Sequence, residues 1–286
     1  MSDIEILCAS LIGLREDNED VEATLINMDT NGNAINKNLA PVDIFIICDG
    51  HGGKKVASLV CPCLLRTFSN KKYIYPLSKN IINDIYEKIQ VKLSKHPDNV
   101  AYGCGCTALV VIRYYSDGNK FLQVINSGDC RAVLSKKGLA IAMTKDHKPD
   151  WPDEKIRIME VIKKHRLNSK IEHVDGAWRI GDLSVSKSFG DLDNTPCVTH
   201  IPEIFNYKIN QYLEFIVMGC DGLWDVVSNE EAINFVKDFR INNLTYTYTP
   251  YIKGTINKNI AEKLAQYAIN KGSTDNISII IIFLNI

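Results

Sequence analysis

Short apolar, β-branched runs recur at 6–14, 21–28, 42–48, 107–115, 121–126, 130–135, 213–220 and 277–284, each bounded by Gly, Asn, Asp or Pro, and the pattern predicts strands. Longer segments with helical periodicity fall at about 53–69, 78–95, 153–165, 229–239 and 258–271, with Ser78 and Ser228 placed as N-caps. The strands do not alternate regularly with the helices. Turn signals at Asp29-Thr30-Asn31-Gly32, Ser116-Asp117-Gly118-Asn119 and Ser127-Gly128-Asp129 read as strand–turn–strand units, so the natural layering is mostly antiparallel sheet with helices outside. The expected fold class is α+β, a β-sandwich flanked by helices. Residues 240–257 and the long polar connection 148–182 read as surface insertions. No linker, low-complexity tract or repeat is visible.

Composition narrows the function classes. The 286 residues are 45% hydrophobic and 23% charged, enough to bury a core, which excludes a disordered or fibrous chain. Lys plus Arg number 33 against 34 Asp plus Glu, so no bulk field draws the chain to nucleic acid or to an anionic membrane. Any anionic ligand must then be held locally. Acids precede the one short apolar stretch near the N-terminus, and no apolar run reaches bilayer length, so a soluble protein is expected. Nine cysteines scattered through apolar segments suit a reducing compartment, and cytoplasm or nucleus is the expectation.

The most informative local feature occurs twice. Phe45-Ile46-Ile47-Cys48 and Phe215-Ile216-Val217-Met218-Gly219-Cys220 are apolar on both faces, and each ends abruptly in Asp-Gly, at Asp49-Gly50 and Asp221-Gly222. A carboxylate at the end of a buried strand is left desolvated unless a positive group meets it, and a cation is the strongest such partner. Were the two strands side by side, Asp49 and Asp221 would meet and their repulsion would also call for a metal. Glu19-Asp20 precedes the strand from Val21, Asp275 precedes the strand from Ile277, and Asp129 sits in the Ser-Gly-Asp turn of a hairpin. A single Asp-Gly is ordinary turn punctuation; five acidic sites at strand ends are harder to dismiss. With no Cys or His at ligand spacing, an all-oxygen set favours Mg²⁺ or Mn²⁺ over Zn²⁺, and a two-metal centre of this kind suits phosphoryl displacement.

These residues resemble the metal-dependent type 2C protein Ser/Thr phosphatases, a likeness carried by blocks that run nearly the whole chain. In order they read GLREDNED at 13–20, CDGHGG at 48–53, GCGCTA at 103–108, SGDCRA at 127–132, DHKP at 146–149, LSVSKSFGD at 183–191, CDGLWDV at 220–226 and GSTDNIS at 272–278. The resemblance implies one catalytic domain over 1–286, a central β-sandwich with helices on both sides, and a binuclear Mg²⁺ or Mn²⁺ site with a weaker third ion. It implies that Asp49 bridges both metals, that the Gly50 carbonyl binds one, and that Asp221 and Asp275 complete the other. Glu19 and Asp20 would act at the same centre, partly through waters, and Asp129 with Asp221 at the third ion. Arg15 looks like the phosphate-binding arginine, a planar fork matched to two phosphate oxygens. His51 looks like the general acid for the leaving seryl or threonyl oxygen. The implied reaction is attack by a metal-activated water on a phosphoserine or phosphothreonine monoester without a phosphoenzyme. Phosphoprotein substrates and a monomer are expected, with no nucleic-acid or membrane partner.

The chain departs from the family pattern in places. GCGCTA has Cys where small hydroxyl residues are usual, and the flap region between Asp146 and Ser186 lacks the usual double-glycine stretch, which puts substrate recognition in question. A catalytically silent scaffold is the competing reading, disfavoured because every acidic position is present. A phosphodiesterase or nuclease is disfavoured by the neutral charge balance. Gly103-x-Gly105-x-x-Ala108 is followed by a strand pattern and so is not a dinucleotide loop. Cys48 and Cys220 beside the aspartates read as packing thiols.

Overall fold

The structure is a computed structural model that describes residues 4–246 and 259–284, with 241–246 as helix backbone only. Its elements are β1 (Glu5–Leu11), β2 (Val21–Leu25), β3 (Val42–Cys48), β4 (Gly50–His51), α1 (Lys55–Phe68), α2 (Lys79–Ser94), β5 (Gly105–Cys106), β6 (Ala108–Ser116) and β7 (Asn119–Ser127). There follow β8 (Arg131–Lys136), β9 (Leu139–Ala142), α3 (Pro152–His165), β10 (Ile171–Val174), β11 (Ala177–Ile180), β12 (Phe189–Gly190) and β13 (Glu203–Lys208). The last are β14 (Leu213–Gly219), α4 (Asp221–Trp224), α5 (Asn229–Tyr246), α6 (Ile260–Asn270) and β15 (Ile277–Phe283).

Two five-stranded antiparallel sheets, ordered β1-β15-β14-β8-β9 and β13-β7-β6-β3-β2, pack face to face. Alternation along the strands explains why they read as apolar on both faces. In β3, Phe45 and Ile47 enter the core between the sheets with Ile216, Met218, Ile280 and Ile282 of the opposite sheet. Ile44, Ile46 and Cys48 point the other way, onto Val60 and Leu64 of α1 and Ile82 and Tyr86 of α2. On the far sheet Val217, Ile279 and Ile281 pack on Val236 of α5 and on Ala261 and Leu264 of α6. The result is the expected α+β sandwich with a helical layer on each outer face.

Local chemistry sets the boundaries. The Ser78 side chain accepts from the Ile81 N–H at the start of α2. At the start of α5, Ser228 and Glu231 cap each other reciprocally, at 3.2 Å from the Glu231 N–H to Ser228 Oγ and 2.9 Å from the Ser228 N–H to Glu231 Oε2. Asp117 and Gly118, with φ of 47° and 75°, form the two-residue turn between β6 and β7.

Asp49 and Asp221 do meet, but across the sandwich, because β3 and β14 lie in different sheets. One expectation is corrected: the turn carrying Asp129 is a crossover from β7 in one sheet to β8 in the other, not a hairpin. The connection 148–182 holds α3, where the periodicity at 153–165 predicts a helix, and the β10–β11 hairpin, which the pattern does not predict, with a small core of Ile158, Ile180, Cys197 and Val198. Of the expected insertion at 240–257, the portion after Tyr246 lies outside the described residues.

Candidate metal centre

The two strands that end in Asp-Gly deliver their carboxylates to one end of the sandwich. Oxygens of Asp49, Asp129 and Asp221 all lie within 4.8 Å of one another, and an oxygen of Asp20 lies within the same distance of Asp49 and of the Cys220 thiol. Glycines make the approach possible. A Cβ on Gly50 would sit 2.5 Å from the Glu19 carbonyl, and one on Gly222 would sit 2.0 Å from the Asn276 carbonyl, so neither segment could close on its neighbour with any larger residue. Asn276 then staples the 12–19 loop. It accepts from the Glu19 N–H at 2.8 Å and donates to the Ile12 and Asp17 carbonyls at 2.8 and 2.9 Å.

The resulting cleft, about 220 Å³, is lined by Arg15, Glu19, Gly50, His51 and Asp275 together with the Asp49–Asp129–Asp221 cluster. Asp20 does not line it; it lies beneath, 3% exposed. Every residue expected at the site is therefore brought to one place.

The electrostatics of the cluster are strained. Desolvation, then repulsion from Asp221, Asp20 and Asp129, pushes the Asp49 carboxyl well up. Desolvation and the Asp129, Asp225 and Asp275 charges do the same to Asp221. Asp20 is pushed up to about 6, chiefly by burial. Neither of its oxygens has a hydrogen bond, although the neighbouring Ser278 and Cys220 side chains offset part of the desolvation. A buried carboxylate without a donor, beside others it repels, is what a cation relieves. The donors are oxygens, so a hard cation such as Mg²⁺ or Mn²⁺ fits the set. The Cys220 thiol does not compete: burial and the Asp20 charge push it well up, and it is held by the Asn276 carbonyl and the Ser278 N–H.

Asp129 differs from Asp20 in already having a cation. Lys148 Nζ stands 3.0 Å from it and 3.9 Å from Asp225. Burial pulls the Lys148 ammonium down, but these carboxylates outweigh it and the net shift is upward. At the rim, Arg15 Nη2 donates to Asp275 at 2.6 Å with half its side chain exposed. His51 Nε2 faces both oxygens of Asp191 at 2.9 and 2.8 Å. Burial alone would lower the imidazole, and the Asp191 carboxylate reverses this, so the net shift is upward. Asp191 is fixed in turn by the Ser188 hydroxyl. A Cβ on Gly105 would sit 2.2 Å from Asp191 Oδ2 and 2.6 Å from His51 Nε2, which explains the glycine of GCGCTA.

Four participants went unassigned from sequence: Lys148, Asp191, Asn276 and Arg179, the last from β11 lining the cleft with Ser184. Asp191 ends the LSVSKSFGD block, but its partner His51 lies 140 residues away and nothing local in the sequence points to it. Nothing local marks Arg179 either, since it lies on an exposed hairpin.

The chain resembles known proteins in sequence and in fold. The family model for protein phosphatase 2C matches residues 10–277. A PP2C-like domain-containing protein of Acanthamoeba polyphaga mimivirus is 59% identical over 169 residues, 57% of this chain and 94% of that protein. Probable protein phosphatase 2C 69 of Arabidopsis thaliana is 34% identical over 275 residues, 96% of this chain and 68% of the relative. A solved serine-threonine phosphatase 2C from Toxoplasma gondii superposes with a TM-score of 0.73 over 98% of this chain and 94% of that one, at 20% identity, a likeness of fold. The chain belongs to the protein phosphatase 2C family.

Proposed function

We propose that the protein hydrolyses phosphoserine and phosphothreonine monoesters in proteins, with two Mg²⁺ or Mn²⁺ ions and without a phosphoenzyme, acting as a monomer. The observation that carries this reading is the meeting of Asp20, Asp49, Asp129 and Asp221 under a cleft that also holds Arg15 and His51. Asp49, the Gly50 carbonyl, Asp221 and Asp275 would hold the ions, with Glu19 and Asp20 behind, and Asp129 with Asp221 at a weaker third. Lys148 already neutralises Asp129, which would weaken any ion held there. When bound, the ions supply charge for the phosphoryl oxygens and acidify water.

The remaining work falls to the chain. Arg15 swings between Asp275 and two phosphoryl oxygens, orienting phosphorus towards the cluster. Asp191 holds His51 through Nε2, so Nδ1 is the nitrogen that gives a proton to the departing seryl or threonyl oxygen.

Hydrolysis of a phosphothreonine peptide tests the reading. Release that needs Mn²⁺ or Mg²⁺ and stops with chelator supports it; a protein that binds the ions and the phosphopeptide without turnover is a scaffold. Arg15→Ala should raise the KM for phosphate esters by about tenfold, the worth of a lost charge-assisted pair; an unchanged KM would place the phosphate elsewhere. His51→Gln should slow alkyl phosphoesters about 10²-fold but activated aryl esters far less, since only poor leaving groups need the proton. Equal losses on both would argue against an acid role.

A further inference from the structure

A second cavity, about 620 Å³, opens between α3, β13 and the segment leading into β13, and shares no lining residue with the carboxylate cleft. Its polar lining is cationic: Lys187 and Arg157 inside, with Lys79 and Lys145 exposed at the mouth. Lys187 is 7% exposed. Its ammonium makes a loose ion pair with Glu154, Nζ to Oε1 at 3.7 Å. Glu154 is already taken by Arg157, whose Nε and Nη2 hold both its oxygens at 2.6–3.1 Å. The rest of that guanidinium is tied to the Cys197 and Ser186 carbonyls at 3.0 and 2.9 Å.

Arg157 is thus structural, and Lys187 shares a carboxylate that Arg157 already holds. A nearly buried ammonium with only a distant, shared counter-ion is incompletely compensated, and burial does pull the Lys187 pKa down despite Glu154 and Glu203. Glu203 is the one carboxylate in the lining, and it is turned towards His147 Nε2 at 3.5 Å. The other walls are apolar, among them Val161 and Phe205. In a chain whose net charge is −1, the gathering of Lys79, Lys145, Arg157 and Lys187 around one open pocket is local, although Lys145 is also paired with Asp153 at 3.3 Å.

We infer that this cavity binds an organic anion, its carboxylate, sulfonate or phosphate group paired with Lys187 and its apolar body against Val161 and Phe205. The inference does not depend on the phosphatase reading, because the two cavities are separate.

The probe is 1-anilinonaphthalene-8-sulfonate, an aryl sulfonate whose fluorescence rises in an apolar site, titrated into the full chain. Saturable 1:1 binding is expected. It should weaken about tenfold in Lys187→Met, the worth of one charge-assisted contact, and severalfold in Lys79→Glu, where the side chain is exposed and folding is not at stake. Arg15→Ala, in the other cleft, should bind as the parent does. A signal that does not saturate, that survives both lysine changes, or that disappears in Arg15→Ala overturns the assignment.

Discussion

Replacing Asp49 or Asp221 by Asn is expected to abolish turnover and, in chelator, to raise the melting temperature. The two effects have one cause. In the folded protein each carboxylate is desolvated and faces the others across the end of the sandwich, which pushes both well up from the usual range. An amide keeps the shape and removes a charge, so the metal-free fold is relieved of repulsion. The same charge is the reason a divalent ion binds there, and losing several kcal/mol of electrostatic stabilisation costs roughly a thousandfold or more in rate. Calorimetric titration with Mn²⁺ should show binding lost with activity. The pH dependence has a definite sign. Asp20 and Glu22 are pushed up to about 6 and about 7, each chiefly by burial. Their native pKa values exceed those of the unfolded chain, so the chelated protein is most stable below about pH 4 as far as these groups go and loses that part as pH rises to about 7. Full activity in either Asn variant would remove the metal assignment; an unchanged melting temperature in chelator would remove the electrostatic account.

Much of this was legible in the sequence because burial writes itself into composition. β3, β6, β14 and β15 are buried on both faces over most of their length, and each shows as a largely apolar run broken by only one or two polar residues, such as Asp43 in β3 and Arg113 in β6. The acidic ends of such runs could be picked out because a charge there contradicts its surroundings. Pairing was not legible. A strand apolar on both faces does not say which sheet it joins, so the sequence leaves open how Asp49 and Asp221 come together, across the sandwich as it turns out, and Asp129 reads as part of a hairpin when it sits on a crossover. β9, β10 and β11 are not legible because they are short and largely exposed, with a single buried residue, Ile180, too little to impose a period. Lys148 and Asp191 sit inside motifs, but their roles depend on partners 19 and 140 residues away, which no local pattern reveals.

The opposite combination, lost stability with chemistry intact, is expected at Asp43. This residue is the second of β3 and pairs in register with Arg113 on β6, and both side chains are 0% exposed. Asp43 Oδ2 accepts from Arg113 Nε at 2.7 Å and stands 2.6 Å from Nη2 in an ion pair, while Oδ1 accepts from the Asn27 and Met28 N–H groups at 2.8 and 3.0 Å. Asp43→Ala would deprive a buried guanidinium and two backbone donors at once. Breaking a buried pair from one side costs about 3–5 kcal/mol, or roughly 5–15 °C in Tm for a chain of this size. Arg113→Met should cost less, because the carboxylate keeps its two N–H donors and the methionine fills the space. A double-mutant cycle with Asp43→Ala would isolate the coupling. Since Asp43 stands at the far end of β3 from Asp49, kcat measured well below the melting point should stay within about twofold of the parent, surface-like in its effect on chemistry although buried. Denaturant unfolding that places Asp43→Ala within about 1 kcal/mol of the parent would show that this pair does not anchor the strand. A large fall in kcat for the folded variant would show that strand position, and not the carboxylates alone, sets the geometry of the metal centre.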